Sequence, residues 1–196
     1  ARFWLHNGWV TLAGEKMSKS LGNTVSIDAV LRRVRGAELR YYLVGPHYRS
    51  MIEFSDGALQ EAVAAYRRIE SFVHRVRERL GLPEPGVVSP EFTAALDDDL
   101  GTPGALAAVH NAVREGNTAL DASDKEAALA AAGAVRAMTG VLGLDPLDPQ
   151  WIADAGADAS AGALAALVED LLEQRAAARS RRDFAAADEL RNRLTA

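Results

Sequence analysis

The 196-residue sequence contains no cysteine, so a disulfide framework and a thiolate metal site are both excluded, and the redox compartment stays open. It has no apolar run of the length that crosses a bilayer. Arg2 to Val10 is a short mixed segment with no small-residue cleavage pattern behind it, unlike a signal peptide. Glycine-rich dinucleotide loops, metal-ligand spacings and internal repeats are also missing. Aromatics make up only 6% of the residues, while alanine is abundant. That balance favours helices packed through small side chains over a sheet-rich core.

What is present begins with an uneven charge. The net charge is -5, yet residues 1–49 carry eight Lys/Arg against three acids. Residues 50–174 carry eight basic against twenty-one acidic residues, and the last twenty-two hold six arginines against three acids. Two basic ends around an acidic middle suit a polyanion bound at the ends and a scaffold between them; solvated helix faces are the plain alternative.

Local signals divide the chain. Phe3-Trp4-Leu5-His6 and Trp9-Val10-Thr11-Leu12, separated by Asn7-Gly8, predict a strand pair, and Ala13-Gly14 opens a polar loop to Asn23. Ser26 or Thr24 caps a helix through Ile27, Val30, Leu31 and Val34, which Gly36 is expected to stop; a second runs from Ala37 to Val44. Ser55-Asp56 opens a long amphipathic helix that ends at Gly81. Ser89-Pro90 and Thr102-Pro103 each read as a cap with proline at the first helical position, the former launching a helix to about Leu100. Ser123 and Glu126 suggest a capping box for a helix closing at Gly143. Four helices over 55–143 read as an antiparallel bundle. Residues 144–162 read as a linker pinned by Trp151-Ile152. Residues 163–196 are helical, with a break near Arg182-Asp183.

The chemistry sits in Glu15-Lys16-Met17-Ser18-Lys19-Ser20-Leu21-Gly22-Asn23. Two lysines three positions apart in a polar loop can converge on one multiply charged anion, and the serines and glycine allow close approach. A departing pyrophosphate needs concentrated positive charge, and a loop can close over it and reopen. Taken alone, a Lys-x-x-Lys is most often an exposed basic turn.

Lys16-Met17-Ser18-Lys19-Ser20 after a hydrophobic strand resembles the second signature of class I aminoacyl-tRNA synthetases. Leu39-Arg40-Tyr41-Tyr42-Leu43, His47-Tyr48-Arg49-Ser50, Glu53-Phe54-Ser55, Leu96 to Leu100 with Thr102-Pro103, and Asp183-Phe184-Ala185 resemble the cysteinyl-tRNA synthetase family in particular. The resemblance implies a mostly α fold: the end of a Rossmann-like class I catalytic domain, a helical tRNA-contact bundle, and the start of an anticodon-binding region. It divides the chain into 1–24 with the ATP loop, 25–54 as stem-contact helices, 55–143 as a DALR-type four-helix bundle, 144–162 as linker, and 163–196 as anticodon-side helices. It implies ligation of L-cysteine to tRNA(Cys) through a cysteinyl-adenylate, using ATP with Mg2+, in a cytoplasmic monomer. By carry-over, Lys16 and Lys19 are catalytic and Lys16, Met17, Ser18, Lys19 and Ser20 bind ATP. Arg32, Arg33, Arg35, Arg40, Arg175, Arg179, Arg181 and Arg182 are candidate tRNA contacts, and no metal ligand falls in this chain.

The departures from that family are the first ATP signature, of His-x-Gly-His type, and the zinc ligands. Both belong to an N-terminal catalytic portion absent from this sequence, so Zn2+ is expected there, the ends read as limits within a longer protein, and the fragment alone is expected to be inactive. Leu100-Gly101 replaces the family's Phe-Asn. The cysteine ligase of mycothiol biosynthesis shares the catalytic architecture but has no use for the basic tail from Arg175. A non-catalytic helical RNA- or protein-binding fragment would have no use for the ATP loop. His47 reads as a packed histidine at a junction, His6, His74 and His110 as structural, and Asp97-Asp98-Asp99 as a solvated turn before a cap.

Overall fold

The computed structural model describes residues 2–12, 14–17 and 25–151, with only the backbone at Lys16. Ser18, Lys19 and Ser20, the helices expected over 163–194 and Arg175, Arg179, Arg181 and Arg182 lie outside the described residues. The chain divides into two units, Ala1–Ile152 and Ala153–Ala196. Every described strand and helix belongs to the first unit.

Three short strands form one small sheet. β1 (Val10–Leu12) lies in the middle, antiparallel to β2 (Glu15–Lys16) and parallel to β3 (Ile52–Glu53). The expected strand over Phe3 to His6 does not form; that segment has no regular secondary structure, and Phe3, Trp4 and Leu5 are exposed. β3 was not anticipated, because two residues are too short for a period-2 signal and its partner lies about forty positions away in sequence.

Two helices cover the sheet. α1 (Ile27–Leu31) is capped by the Ser26 hydroxyl, which accepts from the Ala29 N–H at 3.2 Å. It ends earlier than predicted, at Arg32. Gly36 does not stop it; Gly36 is instead the first residue of α2 (Gly36–Val44), with Arg35 as its cap. A glycine at a helix start and one at a helix end look alike in sequence, since the distinction lies in which neighbour its backbone joins. Val30, Val34, Leu39, Tyr42, Phe54, Leu59 and Val63 form the core of this region.

α3 (Asp56–Leu80) contributes Leu59 and Val63 to that first core and then turns Tyr66, Ile69, Phe72, Val73 and Val76 into a second, larger one. Its spacing of apolar residues keeps them on one face throughout its length. α4 (Pro90–Asp97) starts with Ser89 accepting from the Phe92 N–H, and Phe92 anchors it in the core. α5 (Thr102–Asp121) packs against α3, α4 and α6 (Lys125–Val141). Small residues set the closeness of these contacts. A Cβ at Gly116 would lie 2.2 Å from the Phe72 ring, so the phenyl occupies the place of the missing side chain.

Two caps differ from expectation. Gly101, not Thr102, caps α5; the Thr102 hydroxyl instead donates to the Pro46 carbonyl at 3.1 Å. Asp124 caps α6 by accepting from Ala127 N–H, while Ser123 sits before it at φ 59°. In both places neighbouring residues offered equivalent cap chemistry, and the turn geometry selected between them. After α6 the chain stays packed: Leu144 and Leu147 are buried in the larger core, Asp145 pairs with Arg136 at 2.8 Å, and the Trp151 indole N–H donates to the Gly143 carbonyl. Among the described residues, no helix is long and apolar enough to cross a membrane.

Candidate ATP loop and nucleic-acid interface

The loop signature begins on a hairpin. Thr11 pairs with Lys16 and Leu12 with Glu15, and the Met17 N–H donates to the Val10 carbonyl at 3.4 Å. Gly14, at φ 78°, makes the reversal, a conformation that side chains with a Cβ disfavour. The carboxylate of Glu53 closes the hairpin from the neighbouring strand. It accepts from the buried Thr11 hydroxyl and from the Gly14 N–H at 3.2 and 3.3 Å. Tyr42 donates its hydroxyl to the Glu53 carbonyl at 3.0 Å, tying the same strand to α2. The base from which the lysine-rich segment departs is therefore held on both sides. Beside it lies an open hollow of ≈ 410 Å³ lined by Asn7, Gly8, Trp9, Val10 and Met17.

The four arginines that follow the loop have separate fates. Arg32 is exposed at the end of α1. Arg33 is also exposed and pairs with Asp56 at 2.8 Å across open solvent. Arg35 is nearly buried and bonds to both Glu38 and Glu70, at 2.9 and 2.7 Å. Arg40 donates its Nε–H to the Leu142 carbonyl at 2.8 Å, against the end of α6. The structure does not bring these side chains into one cluster.

Glu38 is the centre of a charge network that sequence reading missed. Its side chain is fully buried and accepts from Arg35 and from Arg67. Burial alone disfavours its charge, but the Arg35 backbone N–H and the two guanidinium groups outweigh it and hold the carboxyl below its ordinary pKa. The Arg35 guanidinium is raised, chiefly by its hydrogen bond to Glu70. The signal available in sequence was weak: a glutamate three residues beyond Arg35 is an ordinary helix pair until Arg67 and Glu70 arrive from α3.

His47, Tyr48 and Arg49 converge on Asp99 from fifty residues away. The Tyr48 hydroxyl donates to Asp99 at 2.8 Å, and Arg49 reaches the same carboxylate at 3.1 Å. Arg49 also lies over the Tyr48 ring, 5.4 Å from its centre. The Arg49 N–H donates to His47 Nδ1, which assigns the proton to Nε2, and Nε2 then donates to the Asp99 carbonyl at 2.9 Å. Asp99 and Leu100 both sit at positive φ, 55° and 56°. The acidic turn is thus a latch on the loop after α2. Among the described residues, no group of three His, Asp or Glu side chains could hold a metal ion.

Comparison with known proteins gives two family matches. Residues 1–64 match the model described as tRNA synthetases class I (C) catalytic domain, and residues 91–146 match the DALR domain. Among solved structures, the chain is similar to Agrobacterium radiobacter K84 agnB2 LeuRS in a ternary complex with tRNA and LeuAMS. The identity is 20%, the TM-score 0.51, and the likeness covers 71% of this chain and 20% of that one. The chain thus spans about a fifth of that protein, and the likeness is one of fold.

The architecture is the mostly helical C-terminal portion of a class I aminoacyl-tRNA synthetase catalytic domain followed by a helical DALR domain. The narrower expectation, a cysteinyl-tRNA synthetase in particular, is corrected. The DALR match and the LeuRS fold neighbour support the class I catalytic and DALR architecture without specifying cysteine. The motifs behind the narrower reading are short helix and loop signals, and packing of a shared architecture accounts for such signals without fixing the amino acid bound.

Proposed function

We propose that this chain supplies the ATP loop and RNA-facing helices of a class I aminoacyl-tRNA ligase. The observation that carries the reading is the hairpin clamped by Glu53, which holds the backbone of Lys16 and Met17, where the signature starts, at the rim of a sheet. The carboxylate of an amino acid attacks the α-phosphorus of ATP, the bond to the β-phosphate oxygen breaks, and pyrophosphate leaves. Lys16 and Lys19 neutralise the charge that builds on the departing phosphates, Met17 backs the adenine beside the hollow at Trp9, and Ser18 and Ser20 tether the loop. The terminal ribose hydroxyl of tRNA then takes the aminoacyl group and releases AMP. Mg2+, the ion expected with ATP, would supply further positive charge to offset the phosphates.

Residues 1–24 complete the nucleotide fold, 25–54 form the stem-facing helices, 55–143 the bundle, 144–162 the connection, and 163–196 open the anticodon-side region. Arg32, Arg33 and Arg40 are the exposed candidates for RNA phosphates after the loop, with Arg175, Arg179, Arg181 and Arg182 assigned to the later region. Arg35 acts through the fold, since carboxylates occupy it, whereas exposed Arg40 is held through its Nε–H at the Leu142 carbonyl and keeps its terminal donors for a phosphate.

Pyrophosphate exchange on the complete polypeptide tests the reading. Cysteine, the substrate expected from the sequence with tRNA(Cys), and leucine are run as competing arms, with serine and methionine beside them. Exchange dependent on one of them is expected, and Lys19→Ala is expected to slow adenylate formation on the order of a hundred-fold with little change in amino-acid binding. Equal rates for variant and parent would remove the role given to the loop.

A further inference from the structure

The loop between α2 and β3 and the turn between α4 and α5 are joined more closely than their exposure requires. Three consecutive side chains of the loop, His47, Tyr48 and Arg49, direct their polar groups at one residue, Asp99. The Thr102 hydroxyl adds a further tie from the start of α5, to the Pro46 carbonyl. The turn is itself seated on the end of α4: the Leu100 N–H donates to the Leu96 carbonyl at 3.1 Å and the Gly101 N–H to the Ala95 carbonyl at 2.9 Å. A short polar side chain lets Asp99 tolerate its left-handed backbone, but the same conformation is disfavoured for the bulky Leu100. With 48% of its surface exposed, Leu100 is not forced there by burial. Strain of this kind persists where the surroundings over-determine it.

Exposed ion pairs add little to stability, so holding the bundle together does not explain this latch. What it holds lies on the loop's other side. The Gly8 N–H donates to the Tyr48 carbonyl at 2.6 Å, and the Ser50 N–H closes the loop on the His47 carbonyl at 2.8 Å. A Cβ at Gly8 would lie 2.2 Å from the Ser50 carbonyl oxygen, so the two backbones meet in direct contact. Gly8, with Asn7 and Trp9, forms a wall of the hollow beside the hairpin. Residues 2–9 have no regular secondary structure, and this wall takes its place from the loop. Tyr48 therefore works in two directions: its carbonyl fixes Gly8, and its hydroxyl is fixed by Asp99.

We infer that Asp99 is a positioning residue for the hollow at the hairpin, acting through Tyr48 on the wall at Gly8 and Trp9. A carboxylate that accepts from a phenol and a guanidinium fixes direction as well as distance, which is what a remote support must supply. The joint crosses from the region matched by the DALR model, which contains Asp99, to the region matched by the catalytic-domain model, which contains the hollow. That ATP is what occupies the hollow rests on the ligase reading; the joint between turn and wall does not.

Amide hydrogen exchange on the complete polypeptide tests the joint without reference to activity. In Asp99→Ala the amides of residues 7–9 are expected to exchange about ten-fold faster, while those of α3 and α5 keep the parent's rates. Tyr48→Phe, which loses only the hydroxyl, should reproduce most of that change, and the double variant should add little to either single one. Asp99→Asn keeps an acceptor for the Tyr48 hydroxyl and should restore slow exchange. In pyrophosphate exchange, Asp99→Ala should raise the KM for ATP about five-fold and leave that for the amino acid unchanged. Unchanged amide exchange at residues 7–9 in Asp99→Ala would overturn the inference. So would acceleration spread evenly over the bundle, the mark of a structural clasp, or an ATP KM that stays at the parent's value while those amides are freed. A parent that exchanges no pyrophosphate, with residues 7–9 freed in Asp99→Ala, would instead sink the ligase reading and leave the joint standing.

Discussion

The sheet region and the helical bundle solve the same problem of staying folded with different means. The bundle buries Tyr66, Ile69, Phe72, Val76, Phe92, Val109, Val135 and Met138 in one continuous core. The sheet region buries a smaller set and adds polar fasteners: Glu53 on the hairpin, Tyr42 on β3, Glu38 between two arginines. Apolar burial is non-directional and sums over area, so it stabilises a region without fixing any one atom. Hydrogen bonds to a carboxylate add less net stability but define positions. The bundle therefore carries most of the stability, and the sheet region holds a loop in place. α3 belongs to both cores, and through it the stability of one supports the geometry of the other.

The largest effect expected from breaking this division is in the bundle. Phe72→Ala removes a fully buried ring that fills the space at Gly116, and should cost roughly 3–5 kcal/mol in denaturant unfolding. A loss below about 1 kcal/mol would mean that the core collapses around the gap.

Glu38→Ala should come next, at about 2 kcal/mol, because it removes the fully buried carboxylate that Arg35 and Arg67 share, while Arg35 keeps Glu70. Its signature is pH. The native carboxyl is held below the ordinary value, so its contribution is fully present above the unfolded pKa of about 4.3 and is lost as pH falls through the folded one. The gap between parent and variant should narrow on acidification within that window. A gap that stays constant down to the lowest pH would assign the loss to packing.

The smallest stability effect is expected from Glu53→Gln, under about 1 kcal/mol, since the amide oxygen can still accept from Gly14. Its effect should appear in function: a slower adenylate step, on the order of ten-fold in kcat, with amino-acid binding preserved. A variant that loses a few kcal/mol with no specific change in kcat would place Glu53 among the fold's supports and blur the contrast between the two regions.

Much of the bundle was legible in the chain because its signals are local. Ser55, Ser89, Gly81 and the apolar face of α3 speak through neighbours within a turn or two, and the helices stand close to where those signals put them. The loop signature is read on chemistry alone, and most of it lies outside the described residues. Lys16 and Lys19 form a composition that polyanion chemistry needs, whatever surrounds it. β3 was not legible, because a two-residue strand acquires its identity from a partner some forty positions away. Nor was the burial of Arg35, which as a sequence feature is one more arginine in a basic stretch and in three dimensions is enclosed by Glu38 and Glu70.

By itself, then, the sequence determined helix starts and periodicities, the uneven charge and the lysine-rich composition of residues 16–20, since each depends on residues within a few positions. Tertiary structure alone decided which cations remain open to a ligand. It placed Glu53 under the hairpin, joined Asp99 to Tyr48 and Arg49, occupied Arg35, and left Arg32 exposed. The reason is physical: a charge is neutralised by whatever the fold brings within a few ångströms, and sequence distance does not enter that sum.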